Sequence, residues 1–477
     1  MRVSRSLAPF KVKSAGNIYR LFFLVVLILA GLWFLRFIFQ GAIQSPFAPT
    51  PTPTRSANSF LLEAEARFTA GDLQGSIQAY QEAARLEPQN AHILARLARV
   101  QTYASALVTT DQERKARLEE ALASANKAVE LAPENSEAHA VRAFVLDWYA
   151  NPVLVGEKQA QAYLTEAEQE AVRALQLDNQ NTLALVYYAE ILVDQQKWTQ
   201  AERYIQQALE RAPNLMDVYR VYAYVLESQG AYKDAIQAYD QAIRLAPNLT
   251  FLYLRAGANY RRLGLGAPKP EQAKPLYEEA LRYFAAAVRI NEQIGVRDPL
   301  PYLSIAKVYS QMGEYFIAGR NVLKALSFDP SNPDVYGQLG IVYFKSRNYE
   351  GSIPAFKCAV RGCTAQESCE ARGGCAEGET GVAVQGLPLT ANTVVYYYTY
   401  GSVLAALSRP RQNYCPEALQ VLGEVKAAFP NDPDIAGIVA AGEAICNSLG
   451  TTSSYPSTAT PTPAVSPTLT PTPLGGR

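Results

Sequence analysis

One pattern recurs every 34 residues through the middle of this chain, and it leaves few folds open. Thr182 to Leu215 reads TLALVYYAEILVDQQKWTQAERYIQQALERAPNL, and Met216 to Leu249 reads MDVYRVYAYVLESQGAYKDAIQAYDQAIRLAPNL. Ala189, Ala201 and Ala208 hold places 8, 20 and 27 of one copy, Ala223, Ala235 and Ala242 the same places of the next, and Pro213 and Pro247 stand at place 32. Small residues at helical spacing let two helices approach closely, and Pro stops the second. Such a helix, turn, helix unit cannot bury its apolar face alone and must stack on its neighbours.

These places resemble the tetratricopeptide repeat. On the same frame copies begin at Ala57 (Gly71, Tyr80, Ala83, Pro88), Ala91 (Ala98, Ala121, Ala128, Pro133), Ser136 (Ala143, Ala167, Ala174) and Thr250 (Gly257, Tyr260, Ala280, Phe284, Ala287). Further copies begin at Pro299 (Ala306, Tyr309, Ala318, Ala325, Pro330) and Pro333 (Gly340, Tyr343, Phe356, Ala359). A weaker ninth carries Gly401, Ala418 and Pro430, and Pro433 to Leu449 reads as a lone capping helix. Asn179 and Glu292 replace the terminal Pro, while Ser76 and Ser352 replace the Ala at place 20. The resemblance implies an all-α, right-handed α-solenoid of about nine helix pairs over residues 57–449. Copies two, three and six carry 11, 12 and 11 extra residues between their helices, expected as longer hairpins. A 27-residue insertion after Ala359 makes a Cys- and Gly-rich segment, 358–386, expected as an irregular loop.

The flanks differ in composition. Residues 1–17 are basic (Arg2, Arg5, Lys11, Lys13) and 18–39 are apolar except for Arg20, Arg36 and a few small or polar positions. Twenty-two residues at ~1.5 Å each span one hydrocarbon thickness, and the positive-inside rule puts the N-terminus in the cytoplasm and the repeats outside, in a single-pass, bacterial arrangement. A cleaved signal peptide is the competing reading. Residues 40–56 form a Pro/Thr-rich linker and 450–477 a Pro/Thr/Ser-rich tail expected to be disordered or a glycosylated spacer. Residues 56–449 hold 36 basic against 44 acidic residues, a poor footprint for nucleic acid.

Catalytic signatures are missing: no GxSxG, HExxH, GxxxxGK or GxGxxG occurs, and no enzyme activity, cofactor, metal or small-molecule substrate is expected. His92 and His139 lack a third ligand at metal spacing and read as structural. Cys358, Cys363, Cys369 and Cys375 are spaced by 4, 5 and 5 residues, unlike a zinc knuckle, so two disulfides are favoured, with three connectivities open. Cys415 starts the second helix of copy nine and Cys446 ends the capping helix. Antiparallel neighbours bring those ends to one edge, where a bridge is feasible.

In the repeat family the first helix of each pair lines the concave groove, mainly with places 2, 5, 6, 9, 12 and 13. Phe144, Trp148, Tyr187, Tyr224 and Phe251 fall at groove places, joined by Arg220, Arg255, Arg261 and Arg262. Aromatic and Arg side chains anchor interfaces, so this strip is the expected partner-binding surface, lying outside the core. Starting from copy five, the carboxylate-clamp places hold Arg220, Tyr224, Arg255, Leu300 and Ser304, which does not complete that clamp. The resulting expectation is a membrane-anchored scaffold holding a protein or peptide partner, in envelope assembly or export. The alternative is a glycan- or wall-binding module.

Overall fold

The computed structural model describes residues 17–39, 55–375 and 380–451. The basic segment before residue 17, most of the linker, four residues of the Cys-rich segment and the tail beyond 451 lie outside them. Two units emerge, Met1–Arg55 and Ser56–Arg477. The first contains α1 (Ile18–Phe39). Over Ile18–Arg36 its mean hydropathy is 2.4 and its side chains are exposed, so by length and composition it can cross a membrane.

The second unit is a solenoid of helix pairs, as the repeat implies. Copy one pairs α2 (Ala57–Ala70) with α3 (Leu73–Leu86), and copy two pairs α4 (Ala91–Ala104) with α5 (Asp111–Leu131). Copy three holds α6 (Ser136–Tyr149), the short α7 (Pro152–Val155) and α8 (Glu157–Leu177). Copies four and five are α9 (Thr182–Asp194) with α10 (Trp198–Arg211), and α11 (Met216–Ser228) with α12 (Tyr232–Leu245). Copies six and seven are α13 (Thr250–Leu265) with α14 (Pro270–Ile294), and α15 (Leu300–Gln311) with α16 (Tyr315–Leu326). Copy eight pairs α17 (Pro333–Lys345) with α18 (Tyr349–Val360) and is followed by α19 (Ala365–Ala371). Copy nine is α20 (Val394–Leu407) with α21 (Cys415–Ala428), and α22 (Pro433–Thr451) caps the stack.

Local chemistry explains where these helices begin. Asn90, Asn135, Asn181 and Asn332 end their copies, and each side chain accepts a backbone N–H from the first turn of the next helix. Place 8 must be small because the partner helix presses on it: a Cβ at Gly340 would lie 2.6 Å from the Phe356 ring. The extra residues of copies two, three and six mostly lengthen second helices. α5 and α8 reach 21 residues and α14 reaches 25, against 14 for α10 and α12. The Cys-rich segment is more ordered than expected, since α19 opens with a Thr364/Glu367 capping box and Cys363 bridges Val384 through backbone hydrogen bonds.

The apolar interior falls into two large cores. One runs from Ala64 to Ala256 through copies one to six, the other from Leu303 to Cys446 through copies seven to nine. A smaller cluster of Ala273, Tyr277, Ala280, Phe284 and Val308 lies at the joint of α13, α14 and α15.

Candidate functional site in the concave groove

The superhelix curls tightly enough for distant copies to meet. Asn248 at the end of copy five donates through Nδ2 to the Thr69 carbonyl of copy one (3.3 Å), and a Cβ at Gly71, whose φ is 87°, would sit 2.1 Å from the Asn248 oxygen. Asn332 at the end of copy seven donates to Thr109 Oγ1, and Asn392, just before copy nine, donates to Asp111 (3.1 Å). The inner face is therefore enclosed by the chain itself.

That closure corrects the expected placement of the aromatic strip. Phe144 and Tyr187 are fully buried and stacked at 4.3 Å, and Phe251, 6% exposed, stacks on Tyr103 at 5.2 Å. Arg220 is 6% exposed, forks onto Glu190 at 2.8 and 2.7 Å, and lies over the rings of Tyr103, Phe144 and Trp148. Trp148, half-buried, donates to Glu190 as well (3.0 Å). These residues are core, because a narrow superhelix brings groove side chains from opposite walls into contact. Asp217, at groove place 2 of copy five but outside the expected set of aromatic and Arg residues, is their hub. It accepts from Arg99 (2.5 Å), Tyr103 and Tyr187 (3.3 Å). Burial alone would raise its carboxyl, but Arg99, Arg220 and the Tyr103 hydroxyl hold it below the usual carboxylate range.

Further along, Tyr224 donates to Asp194 (2.5 Å) and its ring lies beneath Arg255. Arg255 and Arg262 share Glu227 at 3.0 and 2.7 Å, with Asn259 and Tyr239 also donating to that carboxylate. Arg261 is in no such pair. Burial and the adjacent Arg262 both push its guanidinium down from its ordinary value. Of the seven expected contact residues that carry a polar side-chain group, Arg261 alone has a side chain free of hydrogen bonds and ion pairs among the described residues.

The remaining polar pairs are scaffolding. His92 meets Glu137 (2.8 Å), and His139 sits between Glu170 (2.5 Å) and the Pro133 carbonyl (2.9 Å). The structure joins Cys358 to Cys363, Cys369 to Cys375, and Cys415 to Cys446 (S–S 2.08 Å, Cα–Cα 5.4 Å).

The sequence pattern of the tetratricopeptide repeat family matches residues 189–250, and that of the regulator of microtubule dynamics proteins 1–3 matches residues 60–153. No curated protein matches the chain significantly. Among solved structures, the human IFIT1 dimer with PPP-AAAA is similar at 17% identity, covering 83% of this chain and 92% of its own, with a TM-score of 0.50. The IFIT1 dimer with m7Gppp-AAAA gives 18% identity, 84% and 91% coverage and a TM-score of 0.50. A tetratricopeptide repeat protein from Parabacteroides merdae covers 61% of this chain and 99% of its own at 16% identity, with a TM-score of 0.34. At such identities these likenesses concern fold alone. With helix pairs set on a 34-residue frame, small residues at the closest approaches and the family pattern across copies four and five, the chain carries tetratricopeptide repeats and folds as a solenoid of such pairs.

Proposed function

We propose that this protein is a membrane-anchored scaffold without catalytic activity that holds a protein or peptide partner on the inner face of copies six to eight. The observation carrying this reading is the contrast along the groove. In copies two to five the groove side chains fill the interior, whereas at place 9 of copy seven Lys307 is exposed to water while protein rings it. A partner can enter only where the inner wall is unfilled. The glycan alternative loses its support, since the rings of Phe144, Tyr187 and Phe251 are stacked on one another or on Tyr103. A role in envelope assembly or export follows from α1 and from the Pro/Thr-rich flanks, which suit an extracytoplasmic address.

Photocrosslinking with an aromatic diazirine or benzophenone residue at position 307, against position 316 on the exposed outer surface, tests the scaffold in intact cells. Discrete protein adducts from 307 and none from 316 are expected; equal adducts from both would remove the groove from the reading. Protease added to intact spheroplasts should digest residues 56–451, and survival of the repeats until lysis would reverse the assigned side. The intact mass of the purified protein separates an anchor, which retains residues 1–40, from a cleaved leader.

A further inference from the structure

We infer that the unfilled part of the groove is a binding site for an extended acidic segment of the partner protein, read by Arg114, Arg261 and Lys307. The inference rests on the scaffold reading above and adds the chemistry of the ligand. Arg261 lies at place 12 of copy six and Lys307 at place 9 of copy seven, both groove places. Arg114 comes from the first turn of α5, one turn beyond Asp111, where the Thr109–Asp111 link touches Asn332 and Asn392 and closes the groove from the opposite side.

What distinguishes these cations is that the nearest carboxylates are already satisfied by neutral donors. Asp334 accepts from the Tyr396 hydroxyl at 2.8 Å and from the Gln338 amide at 2.7 Å. Asp111 accepts from the Asn392 amide at 3.1 Å. Among the described residues, Arg114, Arg261 and Lys307 make no ion pair and no side-chain hydrogen bond, and Arg114 Nε is buried without a partner. A guanidinium carries five donors and an ammonium three, so most of the donor capacity at this site is unused. The charges sense one another: Lys307 interacts with Arg261 and Asp334, and Arg114 with Asp334 and Asp111. Protein crowding around the groove lowers both cations from their ordinary values, Lys307 although its side chain is open to water, and the carboxylates only partly oppose it. Neighbouring Arg255 and Arg262 add to the surplus, since two guanidiniums share the single carboxylate of Glu227.

The spacing selects an extended peptide. α13 and α15 touch, as do α15 and α17, so successive first helices lie ~10 Å apart. An extended chain advances about 3.3 Å per residue, so acidic residues about three apart would meet one copy after another. The site differs from a C-terminal carboxylate clamp, whose places hold Arg220 and Arg255, both committed to internal ion pairs, and Leu300 and Ser304.

The test uses the full chain in detergent, titrated into a fluorescein-labelled peptide of five Glu-Ser-Gly repeats, with the Gln-Ser-Gly peptide and single-stranded oligoadenylate as comparison probes. We expect the Glu peptide to bind in a salt-sensitive manner and the Gln peptide at least about tenfold more weakly. Arg261→Gln with Lys307→Gln should abolish that preference, Arg261→Lys with Lys307→Arg should retain it, and Asp334→Asn should tighten binding. Equal affinity for the Glu and Gln peptides, or a double Gln variant that binds as before while its melting temperature is unchanged, would overturn the inference. So would oligoadenylate outcompeting the Glu peptide, which would make the groove a nucleic-acid site. If the Glu peptide fails yet position 307 still crosslinks a protein in cells, the acidic-ligand inference falls and the scaffold stands; if no protein crosslinks there, the scaffold reading falls with it.

Discussion

Copies one to six and copies seven to nine are built from the same helix pair but are held shut in different ways. In the first region the inner face is closed by side chains: Tyr103, Phe144, Tyr187 and Phe251 stack, and Arg99, Asp217, Arg220 and Glu190 form buried ion pairs among them. In the second, every cysteine of the chain is used in a bridge, and Cys415–Cys446 ties the last pair to the cap. A solenoid frays at its ends, where each copy has one neighbour instead of two. Both regions meet a facing wall, the second through Asn332 on Thr109 and Asn392 on Asp111, but only the first fills the space between the walls with side chains, and covalent bonds brace the end that has one neighbour.

The most severe way to break the first kind of closure is Asp217→Ala. It removes the acceptor of Arg99, Tyr103 and Tyr187 together and leaves a buried guanidinium without its carboxylate. Losses from breaking one partner of a buried pair run to about 3–5 kcal/mol. Chemical denaturation should show that loss in copies one to six, with amide exchange in α20–α22 unchanged. A loss spread evenly over both regions would mean the two cores are one cooperative body.

The matching change in the second region is Cys415→Ser with Cys446→Ser. The bridge spans a sequence separation of 31, for which the chain-entropy treatment gives ~3–4 kcal/mol. Hydrogen exchange should accelerate in α20, α21 and α22 and stay slow in α4–α11. Recovery of both thiols free from oxidised wild-type protein would remove the bridge from the comparison altogether.

How much of this was readable beforehand differs between the regions for a physical reason. Helix starts depend on local signals, such as the capping Asn residues and small residues at place 8, so the frame alone positions α4 at Ala91 or α9 at Thr182. Cys415 and Cys446 sit on consecutive antiparallel helices, so their proximity is also nearly local. Burial of Phe144 and Tyr187 is not local. A groove place states which way a side chain points but not how tightly the superhelix winds, and that depends on contacts such as Asn248 with Thr69, 179 residues apart. Arg220 and Glu190 lie 30 residues apart on neighbouring first helices, a spacing near the 34-residue repeat, and opposite charges so placed are a signal that could have marked an internal pair.

A third prediction concerns the joint between the regions. Asp298 lies between α14 and α15, where it accepts from Leu300 N (2.9 Å) and Asn291 Nδ2 (3.3 Å). Burial pushes its carboxyl up to about 6, against those two hydrogen bonds, whereas an unfolded Asp titrates near ~3.9. A folded-state value above the unfolded one means the stabilising contribution is full below about pH 4 and is lost as pH rises through about 6, up to about 3 kcal/mol. Thermal scans from pH 4 to 7 should therefore show the joint weakening and the two regions separating into distinct transitions. Asp298→Asn should flatten that dependence, and an unchanged slope would place its origin elsewhere.

The smallest effect sharpens the comparison most, because it uses the same substitution in both regions. Ser76 and Ser352 both stand at place 20, where other copies carry Ala, and both are fully buried. Ser76 Oγ donates to the Ala64 carbonyl of the preceding helix at 2.8 Å, so it links α3 to α2. Ser352 Oγ donates to the Tyr349 carbonyl at 2.7 Å, three residues back in its own helix. A net hydrogen bond contributes about 1 kcal/mol, and Ala is better than Ser in a helix interior by up to roughly 0.5 kcal/mol. For Ser76→Ala the lost link between helices outweighs the propensity gain, and a net loss of about 0.5–1 kcal/mol is expected. For Ser352→Ala the bond competes with the helix's own ladder, so its removal should be neutral or stabilising by up to about 0.5 kcal/mol. Paired urea titrations of the two variants measure the difference directly. Equal losses would show that the hydroxyl at place 20 carries the same weight at either end of the stack, and that the two regions differ only in how their inner faces and ends are closed.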